Sequence, residues 1–152
     1  MAFSLLLSAA ILFIACSAST PGSNFSAPGS INSVQVLRVV DGDTLDVLIA
    51  GNKHRVRLFG VDTPERGERC YQEAMDRTLE LSGDSVLLEA GPRKEDKYGR
   101  LLFYLYTQSG ESIDTKLIQE GLATAWTRDG QYRDKLVNEE NHARAKGKGC
   151  LW

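Results

Sequence analysis

From Ile31 onward, short apolar runs alternate with polar turn signals at the spacing of a strand meander. "VQVLRVV" stops at Asp41-Gly42, a strong hairpin signal, and "TLDVLIA" follows it and stops at Gly51-Asn52. "HRVRLFGV" is a third run. The pattern then changes period. In "CYQEAMDRTLELSG" Tyr71, Ala74, Met75, Thr78 and Leu79 fall on one helical face, and Gly83 stops the helix. "SVLLEA" and "LLFYLYT" are two more strands, separated by the charged loop "GPRKEDKYGR". "SIDTKLIQEG" predicts a short helix with Ile113, Leu117 and Ile118 inward, and a last, mostly polar helix runs from about Tyr132 to Lys146. Five mainly antiparallel strands with about three α-helices predict a mainly β fold with helices: a small β-barrel of the OB-fold type. Periodicity alone leaves an open sheet covered by helices as the alternative.

The chain has 152 residues, enough for one domain with a real core. With 42% apolar and 25% charged residues it has the composition of a globular protein. Its formal charge of -2 means that phosphate or nucleic-acid binding must come from a local basic cluster. Charge is absent from the N-terminus, where the first charged side chain is Arg38. "FSLLLSAAILFIAC" has the length of a signal h-region and is too short to span a bilayer, although the usual positive n-region is missing. A buried N-terminal helix is the competing reading. Phe13-Ile14-Ala15-Cys16 resembles the lipobox of bacterial lipoproteins, with Phe13 where Leu is preferred. Residues 1–15 therefore predict a signal peptide and Cys16 a lipidated N-terminus, with ordinary cleavage among Ser17, Ala18 and Ser19 as the other route. Residues 16–30 read as a flexible Ser/Gly/Pro tether, and 31–152 as the folded domain. The expected location is outside the cytoplasm, secreted, periplasmic or held at a membrane through Cys16, and the expected state is a monomer.

Either route leaves Cys70 and Cys150 in an exported domain, which suggests a disulfide; two free thiols are the alternative.

The candidate chemistry sits at strand ends. Asp43 lies just past the first hairpin turn in "VDGDT", Arg57 inside the third strand, and Asp62, Thr63 and Glu65 at that strand's end in "VDTPE". Arg100 opens the fifth strand in "DKYGR". Taken singly, these are turn residues, a snorkelling arginine and an exposed loop. Gathered at one barrel mouth they make a phosphodiesterase site. Asp43, Asp62 and the Thr63 carbonyl offer the hard oxygens that suit Ca²⁺. Arg57 and Arg100 can grip a phosphate through charge-assisted hydrogen bonds, and Glu65 can orient or deprotonate an attacking water. One difficulty remains: strict strand alternation sends Arg57 and Asp62 to opposite faces, so the chain must bend near Gly60 or Pro64, or Arg57 must reach around.

The ordered set "VDGDT", "VRLFGVDTPE", "DKYGR" and "LIQEGLA", closing with "GCLW", resembles the staphylococcal nuclease (thermonuclease) family over residues 31–152. The resemblance implies a five-stranded barrel with three helices and Ca²⁺-dependent hydrolysis of DNA and RNA at the 5′ P–O bond, leaving 3′-phosphates. It implies calcium ligands at Asp43, Asp62 and the Thr63 carbonyl, an arginine pair at Arg57 and Arg100, and a catalytic glutamate at Glu65. Tyr98 matches a nucleotide-contacting tyrosine. The family's tyrosine pair after the second helix is replaced by "AWTRD", where Trp126 offers a stacking surface for a base or a place in the core or at its rim. The loop after Glu65 is shorter than in the archetype, and the archetype's strong basicity is absent. The alternative function is a non-catalytic OB-fold module that binds nucleic acid.

Overall fold

The computed structural model describes residues 32–152, so the signal segment, the tether and Cys16 lie outside the described residues. Five strands close into a barrel: β1 (Asn32–Asp41), β2 (Thr44–Ile49), β3 (Asn52–Leu58), then β5 (Ser85–Glu95) and β6 (Leu101–Tyr106). Around the barrel the order is β1-β2-β3-β6-β5, with β5 returning to β1. Closure removes the open edges that a five-stranded sheet would present. All neighbours are antiparallel except β3 and β6, which run parallel because a helix and β5 intervene between them. The barrel therefore replaces the open-sheet alternative.

Alternation along β2 and β3 decides what is inside. Leu45 pairs with Val56 and both are fully buried, as are Val47 and Leu58. The opposite face carries Thr44, Asp46, Arg55 and Arg57, with Thr44 directly across from Arg57. Asp46 is buried on that outer face by its own ion pairs with Arg38, Lys53 and Arg55 at 2.8–2.9 Å. Hydrogen bonds from Arg55, then Arg38 and Lys53, hold its carboxyl below the usual range despite burial.

Three helices cover the barrel: α1 (Tyr71–Ser82), α2 (Ile113–Gln119) and α3 (Arg133–Ala145). Helix α1 buries Ala74, Thr78 and Ser82, whereas Leu79, predicted on the inner face, is exposed. The buried stripe is built of small residues because the helix lies close to the first hairpin. Thr78 Oγ1 donates to the Gly42 carbonyl at 2.6 Å. A Cβ at Gly42 would sit 2.7 Å from Thr63 Oγ1 and 3.0 Å from Ala74 Cβ. In α2, the Ser112 hydroxyl caps the first turn by accepting from the Thr115 N–H at 3.1 Å.

Two departures from the sequence reading shape the site. The segment predicted as a loop after Ala90 continues as strand to Glu95, with an irregularity between Ala90 and Glu95 that accommodates Pro92. Only Asp96 to Gly99 turn. A further two-stranded sheet also forms, β4 (Val61–Asp62) against β7 (Thr124–Ala125), too short to show as periodicity.

The Cys70–Cys150 disulfide exists, with Cα atoms 5.7 Å apart and the cysteines 80 positions apart in the sequence. It ties the entry to α1 to the C-terminal tail. The tail also rests on the end of α2, where the Leu151 N–H donates to the Gly121 carbonyl at 3.2 Å.

Candidate active site

The bend that brings Arg57 and Asp62 together is at Gly60. Strand β3 ends at Leu58, the chain turns at Phe59-Gly60, and β4 begins at Val61. The Gly60 N–H donates to Asp114 Oδ1 at 2.9 Å, and its carbonyl accepts from the Trp126 N–H at 2.9 Å. A Cβ there would collide with Leu136 and lie 2.9 Å from Asp114 Oδ1, so only glycine allows this approach. Asp114, fully buried on α2, also accepts from the Leu105 N–H at 3.1 Å and so pins the bend to β6. Burial pushes its carboxyl up to about 6, although the backbone N–H groups of Leu105, Gly60 and Asp114 itself pull the other way.

Arg57 then points along the outer face into a cage of acceptors. Its Nη2 lies 2.6 Å from Asp62 Oδ1 and 3.0 Å from Asp43 Oδ2, while Nη1 donates to the Leu58 and Val61 carbonyls at 3.0 and 3.1 Å. Asp43 is buried, and its Oδ2 also accepts from the Thr63 N–H at 3.4 Å. Desolvation lifts the Asp43 carboxyl to about 6. Arg57 opposes the rise, and the neighbouring charges of Asp41 and Asp62 add to it.

Arg100 arrives from the other side of the barrel mouth. The Asp96 carboxylate accepts the backbone N–H groups of Tyr98 and Arg100 at 2.9 and 3.0 Å and pairs with Arg100 Nε at 2.6 Å. Burial works against the Asp96 charge, but these donors hold its carboxyl below the usual range. Arg100 Nη1 reaches Thr44 Oγ1 at 3.3 Å, and Thr44 Oγ1 donates to Asp43 Oδ1 at 2.9 Å. A continuous hydrogen-bonded path thus joins Arg100 to the carboxylate that pairs with Arg57.

Glu65 lines the same cleft, a concavity of about 610 Å³ that also holds Arg57, Asp62, Arg100, Tyr98 and Trp126. Its backbone N–H is taken by Glu68 at 2.8 Å, but its own carboxylate makes no hydrogen bond or ion pair among the described residues. Tyr98 is exposed, with the guanidinium of Arg100 5.6 Å from its ring centroid. Trp126 is partly buried against the core, and its indole N–H donates to Asp129 Oδ1 at 2.7 Å. The Arg57 guanidinium lies 5.4 Å from its ring centroid. Its ring is thus both core rim and cleft wall.

The cation proposed from the sequence can be tested against these groups. Among the described residues no three or more His, Cys, Asp or Glu side chains gather as a metal cluster. Two carboxylates, Asp43 and Asp62, nevertheless share one arginine, and Asp43, raised chiefly by burial, has the charges of Asp41 and Asp62 beside it as well. Adjacent hard oxygens with excess negative charge suit a divalent cation of the calcium type, with the Thr63 carbonyl as the neutral third donor. The residues fit.

Sequence reasoning missed the supports: Asp96 behind Arg100, Thr44 between the two halves, Asp114 behind the bend, and the Arg93–Asp129 pair behind Trp126 at 3.0 Å. Asp96 carried a signal, since an Asp two residues before Tyr98 and four before Arg100 can accept both N–H groups. The others depend on contacts between 36 and 56 residues apart in the chain.

The family model for staphylococcal nuclease homologues matches residues 55–152, which hold all the candidate residues of the cleft except Asp43. Over 95% of its length the chain is 32% identical to a thermonuclease of Staphylococcus hyicus and covers 92% of that protein. It is 33% identical to a micrococcal nuclease of Shigella flexneri, over 78% of the chain and 72% of the relative. Identity to an SPbeta prophage-derived endonuclease, YokF, of Bacillus subtilis (strain 168) is 36% over 76% of the chain. That match spans less than half, 42%, of the longer relative.

Proposed function

The chain belongs to the staphylococcal nuclease family, and on that premise we propose that it is a calcium-dependent nuclease. It hydrolyses phosphodiester bonds of DNA and RNA at the 5′ P–O bond and leaves 3′-phosphates. One observation carries the reading: the unpartnered carboxylate of Glu65 shares a cleft with the guanidinium groups of Arg57 and Arg100. A carboxylate without a partner among the described residues, in one cleft with two arginines, supplies the groups that water attack on a phosphodiester needs.

Arg57 and Arg100 hold the phosphate: Arg100 has N–H donors to spare beyond Asp96 and Thr44, whereas Arg57, with four of its five N–H groups taken, meets the phosphate by exchanging one of the acceptors in its cage. Glu65 accepts a proton from the attacking water, or orients it, at its free oxygens. Asp43, Asp62 and the Thr63 carbonyl would hold Ca²⁺, which when bound supplies positive charge against the phosphoryl oxygens. Tyr98 presents a ring to the nucleotide and Trp126 a second one. Export and a membrane tether through Cys16 belong to the same proposal, as the sequence supports them.

The test is digestion of plasmid DNA and of RNA by the full chain, with Ca²⁺ and then with chelator. Cleavage that stops with chelator and returns with Ca²⁺, with 3′-phosphate ends, is the expected result. Cleavage that survives complete Ca²⁺ removal would sink the metal assignment. Binding without cleavage under any divalent metal would instead favour the nucleic-acid-binding module.

A further inference from the structure

The cleft holds four arginines, and three have a carboxylate. Arg57 pairs with Asp43 and Asp62, Arg93 with Asp129, and Arg100 with Asp96. Arg128 has none among the described residues, although Asp129 is its neighbour in sequence. The reason is that Asp129 is already committed. Its Oδ2 accepts from Arg93 Nε at 3.0 Å, and its Oδ1 accepts from the Trp126 indole N–H at 2.7 Å and from Arg93 Nη2 at 3.3 Å. These donors, Arg93 foremost, hold the carboxyl below its usual range.

Arg128 lies instead over the indole of Trp126, 5.0 Å from the ring centroid, the same ring that the Arg57 guanidinium approaches at 5.4 Å. Two guanidinium groups thus share one ring, and among the described residues only Arg57 makes direct ion pairs. The ring itself cannot swing away. Its N–H is held by Asp129, its backbone by the Gly60 carbonyl, and the strand before it by β4. The result is an exposed cation with no direct ion pair among the described residues, its charge felt by Asp129 only through space, held on a platform beside the arginine that would grip the scissile phosphate.

We propose that Arg128 contacts a second backbone phosphate of a single polynucleotide strand, next to the phosphate held by Arg57 and Arg100, and so favours polymers over single-phosphodiester substrates. The inference rests on the nuclease reading and deepens it. A chain whose net charge is -2 must draw polymer affinity from such local cations. The platform has a consequence of its own: a lysine at 128 keeps the charge but loses the planar stack on the indole.

The experiment compares the full chain with its Arg128→Gln and Arg128→Lys variants. Affinity for a labelled single-stranded oligonucleotide is measured in chelator across a salt series, and cleavage of the oligonucleotide and of a dinucleoside monophosphate is measured in Ca²⁺. Loss of one phosphate contact lowers the slope of log affinity against log salt by about 0.7. Arg128→Gln should show that drop. It should also raise KM on the oligonucleotide by about two- to fivefold, more than on the dinucleotide, as expected for one exposed charge pair. Arg128→Lys should restore the slope. An unchanged slope and an unchanged KM ratio in Arg128→Gln, with the wild type cleaving both substrates, overturn the second-phosphate contact alone. Wild-type protein that cleaves neither substrate in any divalent metal overturns the nuclease reading and this contact with it.

Discussion

Arg57 and Asp62 form a 2.6 Å ion pair across a bend that only a glycine permits, although both belong to one nearly continuous extended run. Asp43 completes the pair into a triad at 3.0 Å. Arg57 is thus positioned by the same carboxylates that would hold the cation, and four of its five N–H groups serve this cage, so that it serves the substrate as well by exchanging an acceptor. Lys offers one point charge and cannot serve both. Arg57→Lys should lower kcat by about 10²–10³-fold, the usual cost of removing one preorganised donor to developing charge. Nucleotide affinity should change less. Single-turnover rates and equilibrium binding measured on the same variant check this, and a fully active Arg57→Lys would remove the arginine from the mechanism.

Glu65→Gln separates chemistry from binding. The amide keeps size and reach but loses the basic oxygen, and general-base assistance is typically worth about 10²–10⁴-fold. Hydrolysis should fall by that order while Ca²⁺ and nucleotide affinity survive, because no other residue leans on the Glu65 carboxylate. Asp43→Asn should do the reverse, weakening Ca²⁺ affinity and recovering part of the activity at higher calcium. A calcium titration of both variants distinguishes them, and equal calcium dependence would refute the assignment of ligands.

The buried Asp114 predicts a pH dependence of stability. Its carboxyl is raised from 3.8 to about 6 in the folded protein, so between those values the native state binds the extra proton. Stability therefore falls as pH rises through that window, and the penalty for burying the charge is complete above it. A shift of this size corresponds to about 3 kcal/mol at most. Asp114→Asn removes the titration, so the difference in Tm between variant and wild type should change between pH 4 and 6 and level off above it. A pH-independent difference would show that Asp114 is not the group responsible. Because the Asn amide has one acceptor oxygen for the two N–H groups of Gly60 and Leu105, the variant should also lose activity through a loosened bend and a displaced Asp62.

Reduction of the Cys70–Cys150 bond should lower Tm without touching the cleft. The closed loop of 80 residues corresponds to about 4–5 kcal/mol in the chain-entropy model, an upper figure because denatured chains retain structure. Thermal melts with and without reductant, with thiol counting by mass spectrometry, test it. Two free thiols in protein recovered from an oxidising compartment would refute the bond's relevance there.

The chemistry-bearing residues were legible in the sequence because they sit at strand ends, where local signals are strongest. Asp-Gly marks the first hairpin, Pro64 ends the third run, and Gly99 turns the chain into Arg100. The apolar runs marked β2 and β3 as strands, and Leu45, Val47, Val56 and Leu58, two residues apart along each, share the buried face. What alternation could not decide was the meeting of Arg57 with Asp62, since period two says nothing about a bend. That bend depends on Asp114, 54 residues away in the chain, and on Trp126 across the short β4–β7 pair. Leu79 shows the same limit from the other side. Its hydrophobicity marked it as core, but the close approach of α1 to the first hairpin turned the small-residue stripe inward and left it exposed. Local propensity and turn chemistry act over a few residues and are written in order along the chain. Asp96 behind Arg100 is local, but Thr44 between the two arginines, Asp114 behind the bend and the Arg93–Asp129 pair are supports that exist only because the fold brings distant segments within hydrogen-bonding distance.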